Sequence, residues 1–166
     1  TDNGEWGLYC HSSYYSSLPV LTGNQITNNA HCMQLPASAM PAGSDANLLS
    51  PNAVNGIWLI GDERTTDLHL ERLYAGEPHE LGSYAIIGTL TMANGSTLTV
   101  DPGVVVKFDN TWSGITVHGA LDAQGTADLP VVFTSLKDDR YGGDMNADGY
   151  ASSPANGDWG SIYISS

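Results

Sequence analysis

The sequence predicts an all-β solenoid, a coil of short strands stacked on itself, and three observations carry that prediction. Short β-rich runs recur between Ile86 and Phe133: Leu90–Met92, Leu98–Val100, Val104–Phe108, Ile115–Val117, Ala120–Ala123 and Val131–Thr134. They favour β-branched and apolar residues, as strands do. Turn chemistry closes each run, at Asn94-Gly95, Pro102-Gly103, Ser113-Gly114, Gly119, Gly125 and Asp128-Leu129-Pro130. The third observation is the spacing. Leu90 to Ile115, Leu98 to Leu121 and Val106 to Val132 are separated by 25, 23 and 26 positions. Three runs in about 25 residues make one coil, a period in the range of stacked repeats. A hairpin sandwich would show longer strands and turns every 8–12 residues or so.

In a solenoid the apolar residues of each run face a narrow core. Like residues stack from coil to coil, and main-chain hydrogen bonds run between coils. About two to three coils are expected over residues 81–166, interrupted by an insertion at 137–158.

These residues also resemble a family. Gly88–Asp109 (GTLTMANGSTLTVDPGVVVKFD), Gly119–Ser135 (GALDAQGTADLPVVFTS) and Gly157–Ile164 (GDWGSIYI) are similar to the right-handed parallel β-helix, pectate-lyase-like domains of large bacterial and archaeal surface proteins. The resemblance covers residues 84–164, roughly half the chain. It implies a right-handed parallel β-helix and an extracellular or cell-surface setting. It does not fix an activity, because this architecture hosts lyases, hydrolases, adhesins and structural proteins.

Residues 1–80 have another texture. The first fifty are rich in aromatic, Ser, Asn, Ala and Pro residues, and no repeat is apparent. Gly56–Gly61 reads as a buried strand. Thr65–Leu73 fits either period, with Thr66, Leu68 and Leu70 alternating as in a strand. A solenoid needs its first coil covered, so residues 1–80 are expected to form an irregular cap, with Trp6, Tyr9, Tyr14, Tyr15 and Trp58 as lids. A separate small domain is the alternative.

Cys10 and Cys32 are the two cysteines. In an oxidising compartment a bridge between them would stabilise by on the order of 3 kcal/mol. A zinc site with His11 and His31 is the poorer reading, because adjacent Cys-His gives bad geometry for two ligands on one ion. Two free thiols are the third. No Cys-X-X-Cys motif supports redox chemistry.

Eighteen acidic residues stand against 5 basic ones, a formal net charge of −13. That argues against nucleic acid and against anionic membranes, which select Lys/Arg clusters. No apolar run is long enough for a spanning helix. The chain opens at Thr1 without a hydrophobic leader and reads as mature or trimmed. Excess carboxylate suits cation binding or simple solubility.

The insertion holds the one motif with chemistry in it. Asp144-Met145-Asn146-Ala147-Asp148-Gly149 is D-x-N-x-D-G, the first half of an EF-hand-type calcium loop. Calcium takes six to eight oxygens, and alternate residues of a tight turn bring three side chains to one point. Asp144, Asn146, Asp148 and the Tyr150 carbonyl are the expected ligands. Ala155 stands where a bidentate Glu belongs, so Asp138, Asp139 or Asp158 is expected to complete the shell. The resemblance points the same way, since similar domains carry this motif before GDWG.

Two function classes follow. One is a non-catalytic structural or adhesive module, stabilised by calcium. The other is a fragment of a carbohydrate-active enzyme, a polysaccharide lyase or glycoside hydrolase, with acids drawn from Asp109, Asp122, Asp138 and Asp139 beside Arg140. No motif fixes an acid pair, and the non-catalytic reading is carried forward. His118 reads as a turn residue. Ile162 and Ile164 are expected to point inward, with Tyr163 outward, on a final strand that needs covering. Further coils or another copy of the chain are the expected partners there, with filament growth as one result. A surface polysaccharide is a further candidate partner.

Overall fold

Parallel pairing is what this sequence builds, in register except for irregularities between Asn3 and Trp6 and between His31 and Met33. A computed structural model describes residues 3–11, 21–41, 47, 49–74 and 81–165; Tyr14, Tyr15 and Ser166 lie outside them. Fourteen strands follow one another among these residues: β1 (Asn3–Tyr9), β2 (Asn29–Pro36), β3 (Val54–Ile60), β4 (Glu63–Arg64), β5 (Leu68–Leu70), β6 (Leu73–Tyr74), β7 (Leu81–Ile87), β8 (Thr89–Met92), β9 (Thr97–Val100), β10 (Val105–Phe108), β11 (Gly114–Val117), β12 (Ala120–Ala123), β13 (Val132–Ser135) and β14 (Ile162–Ile164).

From β3 onward the strands, β6 aside, are dealt in rotation to three sheets. The first runs β1-β2-β3-β7-β10-β13, the second β14-β11-β8-β4 and the third β12-β9-β5; β6 pairs with β7 at the side. Every pairing along these three paths is parallel, and only β6 with β7 is antiparallel. This is the expected all-β parallel β-helix.

The core is a set of ladders. Met33, Ile57, Tyr84, Val106 and Phe133 stack through the first sheet, and Leu35, Leu59, Ile86 and Phe108 run beside them. Leu90, Ile115 and Ile162 stack in the second sheet, and Leu68, Leu98 and Leu121 in the third. The central members are fully buried. Tyr84 satisfies its hydroxyl by donating to the Glu71 carbonyl at 3.0 Å.

The repeat begins earlier than the sequence reading placed it. β1, β2 and β3 are consecutive strands of the first sheet, so strands before residue 81 extend the stack, while β7 to β14 make the two to three coils expected over residues 81–166. Side-chain amides hold these early turns. The Asn52 Oδ1 accepts the Asn29 backbone N–H at 2.9 Å, and its amide donates to the carbonyls of Ile26 and Leu49. Asn47 repeats this arrangement five residues earlier on the same turn, accepting from the Asn24 N–H and donating to Leu21. Each buried asparagine satisfies backbone groups that a turn would otherwise strand.

Arg64 closes one end of the second sheet. It shares a ladder with Met92 and Val117, yet carries a charge. Its guanidinium donates to the carbonyls of Ala37 at 3.0 Å, Met40 at 2.6 Å and Asp67 at 2.7 Å. A short 3-10 turn at Ala37–Ala39 is thereby tied over the core, and the Asp62 carboxylate accepts the Ser38 N–H at 2.8 Å. Trp6, Tyr9 and Trp58 gather on the flank of the first sheet rather than over its end.

The expected Cys10–Cys32 bridge does not form, with Cys10 half-buried and Cys32 buried. The register explains it. Tyr9 lies beside Gln34, and the Cys10 N–H donates to the Gln34 carbonyl at 2.8 Å, which sets Cys10 level with Leu35. Cys32 is three residues back along the neighbouring strand, an offset of about 10 Å at a strand's rise, beyond the roughly 7 Å a disulfide spans. Burial pushes the Cys32 thiol up to about 12, so it is inert.

If β2 belongs to the coil, its core residues stabilise the whole. Leu35→Ala and Leu59→Ala should each cost about 2–5 kcal/mol and shift a single urea transition. A separate early transition affected by Leu35→Ala alone would show an independent N-terminal unit.

Candidate metal centre

The outward residues of the first sheet form a ladder of their own: Trp58, Ala85, Lys107 and Thr134. The insertion leaves after β13 and folds back across this ladder. Met145, the second residue of the D-x-N-x-D-G motif, is its anchor. It is buried in a small cluster with Val54, Ala85 and Leu136, with Trp58 packed alongside. A Cβ on Gly56 would stand 2.5 Å from the Ser83 carbonyl oxygen and 2.7 Å from the Met145 methyl, and the backbone oxygen is what requires glycine beside this side chain. Nearby, the Ser83 hydroxyl donates to the Gly142 carbonyl at 2.7 Å.

Lys107 is the second anchor. Its ammonium is fully buried beneath the loop. It donates to the Asp138 carbonyl at 3.0 Å and, in a very short bond, to the Gly143 carbonyl. Burial pulls its pKa down, while the negative charges of Asp139, Asp138 and Asp144 work against that fall.

The loop is wound tightly above these anchors. Asp144 accepts the N–H groups of Asp148 at 3.2 Å and Gly149 at 2.8 Å. Asp148 accepts those of Ala151 at 2.8 Å and Ser152 at 3.1 Å, along with the Asn146 amide at 2.8 Å. Ala147 and Tyr150 take φ of 56° and 71°, the left-handed region that costs a side-chain-bearing residue energy.

This winding brings oxygens together. Carboxylate oxygens of Asp139, Asp144 and Asp148 all lie within 4.8 Å of one another. The Asp139 Oδ1 and the Asn146 Oδ1 are both buried and without a hydrogen-bond partner. Burial pushes the Asp139 carboxyl above its ordinary value, and the charge of Asp144 adds to the rise. Unpaired buried acceptors beside like charges are costly unless a cation completes them. Four oxygen donors with no sulfur or nitrogen suit a hard divalent ion such as calcium.

Of the three acids expected to finish the shell, the fold brings in Asp139 alone. Asp138 is buried but committed elsewhere: it accepts from Arg140 Nε at 2.8 Å, Arg140 Nη2 at 3.1 Å and the Thr134 hydroxyl at 2.8 Å. Those bonds, the Arg140 pair foremost, hold its carboxyl down to about 2. Asp158 accepts from Lys137 Nζ at 2.8 Å and the Ala155 N–H at 2.7 Å, and its pKa is lowered by the same lysine. The Tyr150 side chain is exposed and lines, with Asp139, Ser152 and Pro154, a cleft of about 590 Å³ beside the centre.

The other residues named for an enzyme make mostly local hydrogen bonds. Asp109 accepts from the Ser113 hydroxyl and from the Asn110 amide in the turn after β10. Asp122 accepts from Gln124 at 2.7 Å. His118 Nδ1 meets the Ser165 hydroxyl at 2.7 Å, as a turn residue would.

After the loop, Trp159 of GDWG stacks on Phe108 with ring centroids 4.4 Å apart and planes 12° from parallel. The chain then rejoins the second sheet as β14, in register with β11. Lys107, Met145 and Trp159 are the supporting residues that sequence reasoning missed. A lysine inside the otherwise apolar VVVKF run, and a methionine inside a polar loop, were the available signals.

No curated protein and no solved structure matches the chain. The family model described as a pectate-lyase like beta helix domain matches residues 79–165. That match takes in β7 through β14, the 137–158 insertion and its return, and more than half the sequence. The chain therefore belongs to the pectate-lyase-like β-helix family.

Proposed function

We propose that the chain is a non-catalytic structural or adhesive module of an extracellular or cell-surface protein, its outer loop stapled by one calcium ion. The observation that carries this reading is the meeting of Asp139, Asp144 and Asp148 at one point, with the unpartnered oxygens of Asp139 and Asn146 beside it. Calcium supplies positive charge and flexible oxygen coordination. The Tyr150 carbonyl remains the proposed backbone ligand. Bound there, the ion ties Asp139, which follows β13, to the loop that Met145 and Lys107 hold against β3, β7 and β10. It stiffens a coil exterior and needs no reacting group.

Assembly belongs to the same reading. β12, β13 and β14 are the last strands of their sheets at one end. Ile162 is half-buried, while Tyr163 and Ile164 are each 59% exposed. Apolar side chains on an uncovered edge are a template for more backbone. Further coils, or another copy stacking head-to-tail, are the proposed partners.

Calcium at about 100 times its dissociation constant should stabilise by about 2.7 kcal/mol, read as a higher melting temperature that chelator reverses. Asp139→Asn and Asp148→Ala should each abolish the response, and Asp138→Asn should leave it. Equal melting curves with and without chelator would sink the calcium reading.

The pH dependence separates the two neighbouring acids. Asp138, depressed in the fold, stabilises above the ordinary carboxylate value of about 3.9; that contribution is lost as pH falls towards about 2. Arg140→Ala should therefore raise the pH of acid unfolding. Asp139, raised in the fold, acts oppositely: without a cation it costs stability as pH climbs through the carboxylate range. The gap between calcium-loaded and chelated melting temperatures should widen over that climb.

For assembly, the wild-type chain should self-associate with rising concentration in sizing experiments, and Tyr163→Lys with Ile164→Lys should keep it monomeric. A wild-type chain that stays monomeric at high concentration removes the head-to-tail proposal.

A further inference from the structure

We propose that Asn94 is an acceptor for an N-linked glycan. The proposal rests on the extracellular reading, because such glycans are added to exported chains, and it does not depend on the calcium ligands. The sequence holds one Asn-X-Ser/Thr triplet with X other than proline, Asn94-Gly95-Ser96. A triplet alone is a weak signal; its place in the fold gives it weight.

The triplet forms the corner between β8 and β9. Ala93 to Ser96 make a tight turn, in which the Ser96 N–H donates to the Ala93 carbonyl at 3.2 Å. Gly95 takes φ of 81°, as the third residue of a type II turn requires. Asn94 stands before it at the tip, and both residues are exposed. Other asparagines spend their side-chain amides on the fold: those of Asn24, Asn29, Asn47, Asn52, Asn110 and Asn146 all donate hydrogen bonds. The Asn94 side chain makes none among the described residues. Nothing in the fold is given up when its amide is modified. The space beside it is open, since a Cβ on Gly95 would meet nothing within 4 Å.

The corner also suits a bulky substituent. It joins the second sheet to the third, whereas the 137–158 insertion packs on the first. It belongs to an earlier coil than β12, β13 and β14, the strands proposed to pair in assembly. Ser96, by contrast, is buried, and its hydroxyl donates to the Ala93 carbonyl at 2.8 Å. A transferase that reads this hydroxyl must meet it before the turn closes, so transfer accompanies export and precedes folding. The donor class is an oligosaccharide carried on a polyprenyl pyrophosphate. The Asn94 Nδ2 bonds to C1 of the first sugar, and the bond from C1 to the phosphate oxygen breaks. The lipid pyrophosphate leaves with that electron pair, and one Nδ2 proton passes to a base of the transferase. The product is a bulky, solubilising surface group.

Mass spectrometry of the full chain tests this, on protein from its native source and on protein secreted by a eukaryotic host. Both should carry glycan on Asn94, and peptide N-glycosidase should leave aspartate in its place. Asn94→Gln should abolish the modification. The same variant made in a cytosol that lacks the transferase should melt at the wild-type temperature, which separates loss of the acceptor from loss of the fold. Native chain recovered outside the cell with a bare Asn94 would overturn the proposal and leave the extracellular reading standing. Native chain found in the cytosol alone would remove both. A secreted chain left bare by the eukaryotic host, or glycan that persists in Asn94→Gln, would overturn the proposal as well.

Discussion

The constraint on which this molecule depends is the parallel register between successive coils. Each backbone strand bonds to the equivalent strand one coil on, so a shift in one turn would displace every ladder above it. Corners consequently tolerate little. A Cβ on Gly119, between β11 and β12, would stand 1.9 Å from the Ser96 carbonyl oxygen. That corner closes only with glycine. The Ser113 hydroxyl, one corner earlier, accepts the Gly88 N–H of the previous coil at 2.9 Å. Turn residues in this chain thus serve the coil below as much as their own.

The same constraint makes the insertion useful. A loop that leaves at β13 and must return in register at β14 has both ends fixed by main-chain bonds, including Ile115 N–H to the Ser161 carbonyl at 3.0 Å. Met145 and Lys107 then fix its middle. Ordering entropy is largely spent before any ion arrives. Three carboxylates are held together against their repulsion, and the single charge of Lys107 offsets part of it. In the proposed reading a divalent cation would supply the remainder. The cluster is a product of the sheet beneath it, and an ion there would hold the loop to that sheet.

The coil was legible where its strands are short and its turns are marked by Gly, Pro and Asn, from Leu90 to Thr134. It was not legible before residue 81, for a physical reason. There the strands of the first sheet are seven to eight residues long, and their turns are stabilised by side chains such as Asn47 and Asn52 rather than by glycine. The matching offset of Asn24 to Asn47 and Asn29 to Asn52 was the repeat signal, hidden among many other asparagines. The D-x-N-x-D-G spacing announced that Asp144 and Asp148 would meet, since their geometry is local. Choosing Asp139 over Asp138 was beyond the sequence, because adjacent carboxylates point apart and Arg140 claims one of them. Lys107 was missed because its burial depends on a loop that returns some thirty-five residues later. The cysteines misled because a bridge depends on register, and register is a property of the folded sheet.

The central claim is that the folded coil presents one oxygen-lined calcium site made by Asp139 and the D-x-N-x-D-G loop. A crystal structure of the chain grown with calcium, with anomalous scattering to identify the ion, tests it most directly. The account predicts one ion with oxygens of Asp139, Asp144, Asn146 and Asp148 at about 2.3–2.6 Å, with Asp138 still paired to Arg140. An ion bound instead by Asp138 or Asp158, or a calcium-soaked crystal with no ion in this loop, would contradict it.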